Sequence, residues 1–236
     1  MNALLYVEFS TKKEIFVEKF LPALQKCALF AGMTAEEICD MLMCMGAKVQ
    51  LFSRGSIILQ EGDAADRVGV VLSGSAQVER ADYQGNRSIM TRLLPGQLFA
   101  EAFACAGVGQ LPVSVRALED THAVLIAAER IIHTCGKNCG FHTQLVYNLM
   151  RVLAVKNLLC QQKIEVTSQR TTREKLLSYL AICAKNAGSR RFSIPFDRQA
   201  LADYLAVDRS GLSSEIGKLR REGILKCEKN QFELLQ

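Results

Sequence analysis

Hydrophobic and polar positions change rhythm several times along the chain. Residues 17–47 read as short helices: Thr34 stands three residues before Glu37, a capping-box spacing, ahead of the apolar Ile38, Met41, Leu42 and Met45. From Ala47 the period shortens. Lys48-Val-Gln-Leu-Phe, Ser56-Ile-Ile-Leu-Gln, Val68-Gly-Val-Val-Leu, Ala76-Gln-Val-Glu-Arg and Ser88-Ile-Met-Thr-Arg read as strands, punctuated by glycines at 55, 62, 74, 85 and 96. Such short, regularly spaced strands predict a small antiparallel barrel or roll. Ala123-Val-Leu-Ile-Ala is a last strand, and Glu129–Cys135 a short helix.

A long helical stretch follows. Neither Pro nor Gly interrupts Phe141 to Val166, and Leu145, Val152, Leu159 and Val166 recur every seven residues, with Val155 and the polar Asn148 and Gln162 between them. This heptad seam predicts a dimerisation helix, the alternative being a helix packed only on its own domain. The polar run Thr167-Ser-Gln-Arg-Thr-Thr-Arg marks a hinge and supplies N-cap residues for a helix carrying Leu176, Leu177, Leu180 and Ile182. Arg191-Phe-Ser-Ile-Pro is a short strand. Asp197 then caps a helix with Leu201, Ala202 and Leu205 inward, Ala206-Val207 forms a tight turn, and Asp208 caps a second helix whose buried stripe is Leu212, Ile216 and Leu219. A closing hairpin, Ile224-Leu-Lys-Cys-Glu and Gln231-Phe-Glu-Leu-Leu, turns at Lys229-Asn230.

Charge sharpens the picture of this last part. Residues 168–236 hold 13 Lys plus Arg against 8 Asp plus Glu, whereas residues 1–167 hold 16 of each, so the whole net charge of +5 lies in the C-terminal segment. That distribution is expected of a polyanion-binding surface. Ser210, Ser214, Gly217, Lys218 and Arg221 lie opposite the buried stripe of the second helix, and Arg209 and Ser213 flank that face beside the turn. A recognition helix meets base edges with its N-terminal residues; Arg bonds guanine bidentately, and Ser bonds base edges or phosphate. Arg198 and Gln199 open the first helix, and Arg190, Arg191 and Lys229 on adjacent hairpins are phosphate candidates. Gly211 and Gly217 each cost about 1 kcal/mol of helix propensity, which is either offset by close approach of the backbone to DNA or simply tolerated as drift. A helix-turn-helix that serves only packing, or a winged helix that binds protein, is the competing reading.

Nine cysteines without repeated Cys-x2-Cys pairs fit buried thiols in a reducing cytosol. Charged residues among the first 20 leave no signal-peptide core, and no apolar run approaches the roughly 20 residues of a membrane span. A cytoplasmic protein without membrane contact is expected. An enzyme of cupin type lacks ligands: His122, His133 and His142 are the only histidines, with no His-x-His pair. Gly-rich phosphate loops and nucleophile elbows are missing too. No enzymatic activity is expected.

Val70-Val-Leu-Ser-Gly-Ser-Ala-Gln-Val and Arg198-Gln-Ala-Leu-Ala-Asp-Tyr-Leu-Ala-Val-Asp-Arg-Ser-Gly-Leu-Ser resemble, in this order, the roll and helix-turn-helix signatures of the Crp/Fnr family, the cyclic-AMP receptor and fumarate-nitrate regulators of bacterial transcription. The resemblance spans nearly the whole chain. It implies an α+β fold: a cyclic-nucleotide-binding-like β-roll (a double-stranded jelly roll) with N-terminal helices over residues 1–140, a long dimerisation helix over 141–167, and a winged helix-turn-helix over 168–236. It implies a homodimer on a palindromic double-stranded operator, with RNA polymerase as a protein partner and a small-molecule or redox effector. Arg209, Ser210, Ser213 and Ser214 fall where the family reads bases, although the family usually has Arg at 214.

The family's phosphate cassette has Gly-Glu and, about ten residues on, Arg-Ser; here these positions read Ala100-Glu101 and Leu111-Pro112. The ribose-type glutamate is kept. The phosphate arginine and its serine are gone, and an anionic phosphate buried without them loses several kcal/mol. Cyclic AMP is therefore not the expected effector. Glu101-Ala-Phe-Ala-Cys-Ala, including Ala102 and Phe103, suits a less polar or aromatic effector, or none. Arg92 or Arg116 is a candidate for holding a carboxylate, and Asn148 and Asn157 are candidates for facing the pocket from the long helix. His133-Thr-Cys135-Gly-Lys-Asn-Cys139-Gly-Phe-His142 gathers two thiols and two imidazoles, a candidate redox pair or metal site with spacing looser than usual for zinc. No cysteine cluster precedes Cys27, which disfavours an iron–sulfur sensor.

Overall fold

The computed structural model describes residues 13–81, 87–132 and 140–235. They fall into two compact units, Met1–Ala154 and Val155–Gln236. In the first, α1 (Lys13–Lys26), a 3-10 turn (Ala28–Phe30) and α2 (Ala35–Cys44) precede the strands. The predicted capping box starts α2: the Glu37 N–H donates to Thr34 Oγ1 at 3.3 Å, and the Thr34 N–H to Glu37 Oε2 at 2.7 Å.

Two antiparallel four-stranded sheets form the roll. One runs β1 (Lys48–Phe52), β8 (Thr121–Ala127), β3 (Arg67–Ser73), β6 (Leu98–Phe99); the other runs β2 (Ile57–Leu59), β7 (Ser114–Ala117), β4 (Ala76–Ala81), β5 (Arg87–Leu93). The first sheet is covered on both faces. Val124 and Ile126 of β8 join Val68, Val70, Leu24 and Leu42 in the core beneath the helices, while Ala123 and Leu125 join Val71, Phe99 and Val115 between the sheets. A strand buried on both faces needs apolar residues at successive positions, which is why this segment reads as a continuous run. Phe99 closes over bare backbone: a Cβ at Gly69 would stand 2.1 Å from its ring.

The strand segments predicted from sequence all form, but β6, β7 and the helix α3 (Glu101–Ala106) between them are absent from that reading. β6 spans only two residues, and α3 is too short to display a helical period. The short helix expected over 129–135 is α4 (Ala128–Ile132), and its remaining residues lie outside the described ones.

α5 (Gly140–Thr167) is the predicted long helix, but the heptad seam needs correction. Leu145 is fully buried in the first unit's core and Val166 in the second unit's core. The large apolar residues that α5 leaves exposed are Phe141, Tyr147, Met150, Val155, Leu158, Leu159 and Ile164.

In the second unit, α6 (Thr172–Ala187) starts on a capping box between Thr171 and Glu174 and ends at Gly188. α7 (Arg198–Leu205) and α8 (Arg209–Arg221) follow, with a three-stranded sheet in the order β10 (Leu225–Glu228), β11 (Gln231–Leu234), β9 (Arg191–Ser193). Leu176, Leu180, Leu201, Leu205, Leu212, Ile216, Leu219 and Phe232 share one core, as the helical spacing predicts.

Candidate nucleic-acid interface

Two aspartates start the helix pair. The Ala200 N–H donates to Asp197 Oδ1 at 2.8 Å, and the Gly211 N–H to Asp208 Oδ2 at 2.9 Å. Between the helices, Ala206 takes the left-handed conformation (φ 51°) that ends α7 and lets α8 turn away. Leu212, Ile216 and Leu219 are buried. At 100° per residue this leaves Ser210, Ser214, Gly217 and Arg221 centred on the opposite face, with Arg209 and Ser213 beside it; all but the half-buried Gly217 are exposed.

The side chains of this face differ in their local commitments. The Ser210 hydroxyl donates to the Asp208 carboxylate, which also takes the Gly211 N–H; these bonds, the hydroxyl's first, hold the Asp208 carboxyl below its ordinary range. The Ser213 hydroxyl donates to the Arg209 carbonyl at 2.9 Å. Ser214 is exposed, and its hydroxyl bonds to none of the described residues. Lys218 Nζ lies 3.1 Å from Glu215 Oε2. Gln199 donates to Asp203 Oδ1 at 2.8 Å, and the half-buried Arg198 reaches Cys227 Sγ at 3.6 Å. Arg190 and Arg191 are exposed, and Lys229 turns the hairpin at φ 52°. On the wing, Arg191, Arg220 and Lys226 edge a recess of about 400 Å³ over Phe232.

The residues expected at an effector pocket surround α3. Ala100, in the left-handed region at φ 62°, precedes Glu101, which is 3 % exposed. Ala102 is exposed and Phe103 half-buried. Leu111 is buried, its N–H donating to the Asp63 carbonyl at 2.8 Å and its carbonyl accepting from the Gly62 N–H at 2.9 Å, with Pro112 half-buried beside it. Burial, and then the Glu101 charge, push the Cys105 thiol up.

Other sequence candidates have structural partners. Arg116 Nε lies 2.8 Å from Glu79 Oε1 and its Nη1 donates to the Gly55 carbonyl at 2.7 Å; Arg92 donates to Ser75 Oγ at 3.2 Å. Asn148 does not serve a pocket, because its amide nitrogen donates to the Leu29 and Ala31 carbonyls at 3.0 and 2.9 Å and its oxygen accepts from Gln144, pinning α5 to the 3-10 turn. Asn157 is exposed on α5. His142 is buried, with Nδ1 unbonded among the described residues; His133, Cys135 and Cys139 lie outside them.

Residues 49–138 match the family model of the cyclic nucleotide-binding domain, and residues 174–236 match that of the Crp-like helix-turn-helix domain. The chain is 23% identical over 187 residues to transcriptional activator protein FnrA of Stutzerimonas stutzeri, covering 77% of this chain and 74% of that one. It is 24% identical over 179 residues to nitrogen fixation regulation protein FixK of Rhizobium meliloti strain 1021, covering 75% of this chain and 77% of that one. Both family models, in this order on one chain, decide the matter. The chain is a transcription regulator of the Crp/Fnr family. The crystal structure of a cyclic nucleotide-binding domain from Methylobacillus flagellatus KT has the same fold as its roll (TM-score 0.56, 15% identity, 71% of this chain and 91% of that one).

One arrangement in this Crp/Fnr regulator escapes sequence reading. Arg173, in the first turn of α6, bonds Glu222 with both terminal nitrogens at 3.1 and 2.5 Å and reaches Glu215 at 3.4 Å, strapping α6 to the back of α8. The Arg173 bond, the leading influence, holds the Glu222 carboxyl below its ordinary range. Residues 42 and 49 positions apart give no local signal. Among the described residues no helix is long and apolar enough to cross a membrane.

Proposed function

We propose that this Crp/Fnr regulator acts in the cytoplasm as a homodimer on a two-fold symmetric operator, with α8 of each copy in the major groove. The observation that carries the reading is the outward face of α8: Ser210, Ser214 and Arg221 lie on the helix side opposite its core stripe, and the exposed Arg209 and Ser213 flank it. In this reading Arg209 and the three serines meet base edges, and Arg190, Arg191, Arg198, Gln199, Lys218 and Arg221 hold the flanking backbone. Residues 1–140 form the sensing domain, 141–167 the dimerisation helix and 168–236 the DNA-binding domain, and RNA polymerase is the protein partner of the bound dimer.

Ala100, Glu101, Ala102, Phe103, Leu111 and Pro112 line the effector site. A cyclic nucleotide does not suit them: the apolar Leu111 stands where the phosphate arginine would, and Arg92 and Arg116 are each bonded within the roll. An unpaired buried phosphate would cost several kcal/mol, which favours an effector without one. Calorimetry should find no micromolar binding of cyclic AMP.

Fluorescence anisotropy with a random-sequence duplex pool at two salt concentrations tests the main reading. DNA binding should weaken steeply with salt through counterion release. Arg209→Ala should relax sequence preference, and Arg190→Ala should lower affinity evenly across sequences. Absence of binding to any duplex would sink the DNA-reading assignment, and the opposite mutant pattern would place the wrong element in the groove.

A further inference from the structure

Resting on the reading of α8 as the groove helix, we propose that Ser210 reads DNA as a hydrogen-bond acceptor, taking the proton of an exocyclic base amino group, cytosine N4 or adenine N6. A serine in a groove ordinarily serves either polarity, because its hydroxyl can turn its single proton toward an acceptor or away from it. At Ser210 the direction is fixed locally. The partner is the Asp208 carboxylate, which when ionised has no proton to give, so the hydroxyl must be the donor in that bond. Asp208 is itself held in place by its capping bond to the Gly211 N–H. What Ser210 then presents outward is its oxygen lone pairs.

Electrostatics points the same way. Were Ser210 to turn its proton onto a DNA phosphate, that phosphate would come within one hydroxyl's reach of the Asp208 carboxylate, bringing two anions together. An exocyclic amino group carries partial positive charge and meets no such repulsion. Ser213 shares the polarity more weakly, its proton going to the neutral Arg209 carbonyl, whereas the exposed Ser214 keeps a free hydroxyl and Arg209 offers only donors. The N-terminal part of α8 thus presents donors at Arg209 and an acceptor at Ser210, complementary to guanine beside a base that bears an amino group.

The test uses the full-length protein and a duplex it selects from a random-sequence pool. In that duplex each cytosine is replaced in turn by pyrimidin-2-one and each adenine by purine, deleting the amino group, and each purine by its 7-deaza analogue, deleting the N7 acceptor. Deletion of that amino group in one half-site should weaken wild-type binding about fivefold, one hydrogen bond's worth. The same deletion should cost Ser210→Ala less than about twofold, while the 7-deaza substitutions affect both proteins equally. Ser210 is exposed and outside the core, so Ser210→Ala should fold normally. Coupling of Ser210 to a 7-deaza position, coupling to no base, or a shallower salt dependence in Ser210→Ala would overturn the assignment while leaving α8 in the groove. Failure to select any duplex would overturn the groove reading and this assignment together.

Discussion

At the turn between α7 and α8 an alanine occupies backbone that favours glycine. Ala206 sits at φ 51°, ψ 56°, in the left-handed region where a Cβ costs on the order of 1 kcal/mol. Ala206→Gly should therefore raise the unfolding free energy by about 0.5–1 kcal/mol in urea titration, the gain being limited by glycine's freer unfolded chain. A loss of stability would show that the turn is not strained. Gly217 presents the converse case: a Cβ added there meets nothing within 4 Å in the chain itself. Gly217→Ala should stabilise α8 by about 1 kcal/mol. If the α8 backbone rests close to DNA, the same methyl should lower duplex affinity roughly tenfold, a steric cost of about 1.4 kcal/mol. Unchanged affinity would place Gly217 away from the groove floor.

Between elements, α7 and α8 are held by contacts of two kinds. Apolar burial seats them, and polar straps orient them: Arg173 ties α6 to Glu215 and Glu222, Lys175 Nζ reaches the Ala206 carbonyl at 3.4 Å, and Lys163 stands 5.5 Å over the Tyr204 ring. Tyr204 in turn packs on Phe196 and Tyr179, with ring centroids 5.0 and 5.1 Å away. The Arg173 strap is solvent-accessible, so its worth to stability is small. Its consequence is directional. Arg173→Ala should lower duplex affinity about threefold, without changing the salt slope, because no phosphate contact is removed. Arg173→Glu combined with Glu222→Arg should recover most of the loss. A reduced slope would mean that Arg173 touches DNA, and failure of the charge swap would mean that it does not orient α8 through Glu222.

At the scale of the whole molecule, the exposed apolar residues of α5 are the surface that a second copy would cover. Leu158, 58% exposed, is among them, whereas Leu145 is fully buried in its own unit. Leu158→Arg should shift sedimentation from dimer toward monomer with the fold intact, and Leu145→Ala should instead cost about 2–5 kcal/mol of stability through cavity formation. Dissociation by the second variant alone would assign the interface to the wrong face. This division was beyond the heptad pattern, because α5 is apolar on more than one face and periodicity does not distinguish a side chain's own core from a partner's surface. The same limit hid β6 and α3, which are too short to carry a period, and the Arg173 strap, whose partners are distant in sequence. Sequence alone determined the strands of the roll, the capped helices, the long helix, the winged helix pair and the buried stripe of α8, since each rests on local spacing, caps and turns. Tertiary structure decided which polar groups are already spent: Asn148 on the Leu29 and Ala31 carbonyls, Arg116 on Glu79, the Ser210 proton on Asp208. A proton or lone pair given to an internal partner is no longer offered to a ligand, and only the folded chain shows where each one went.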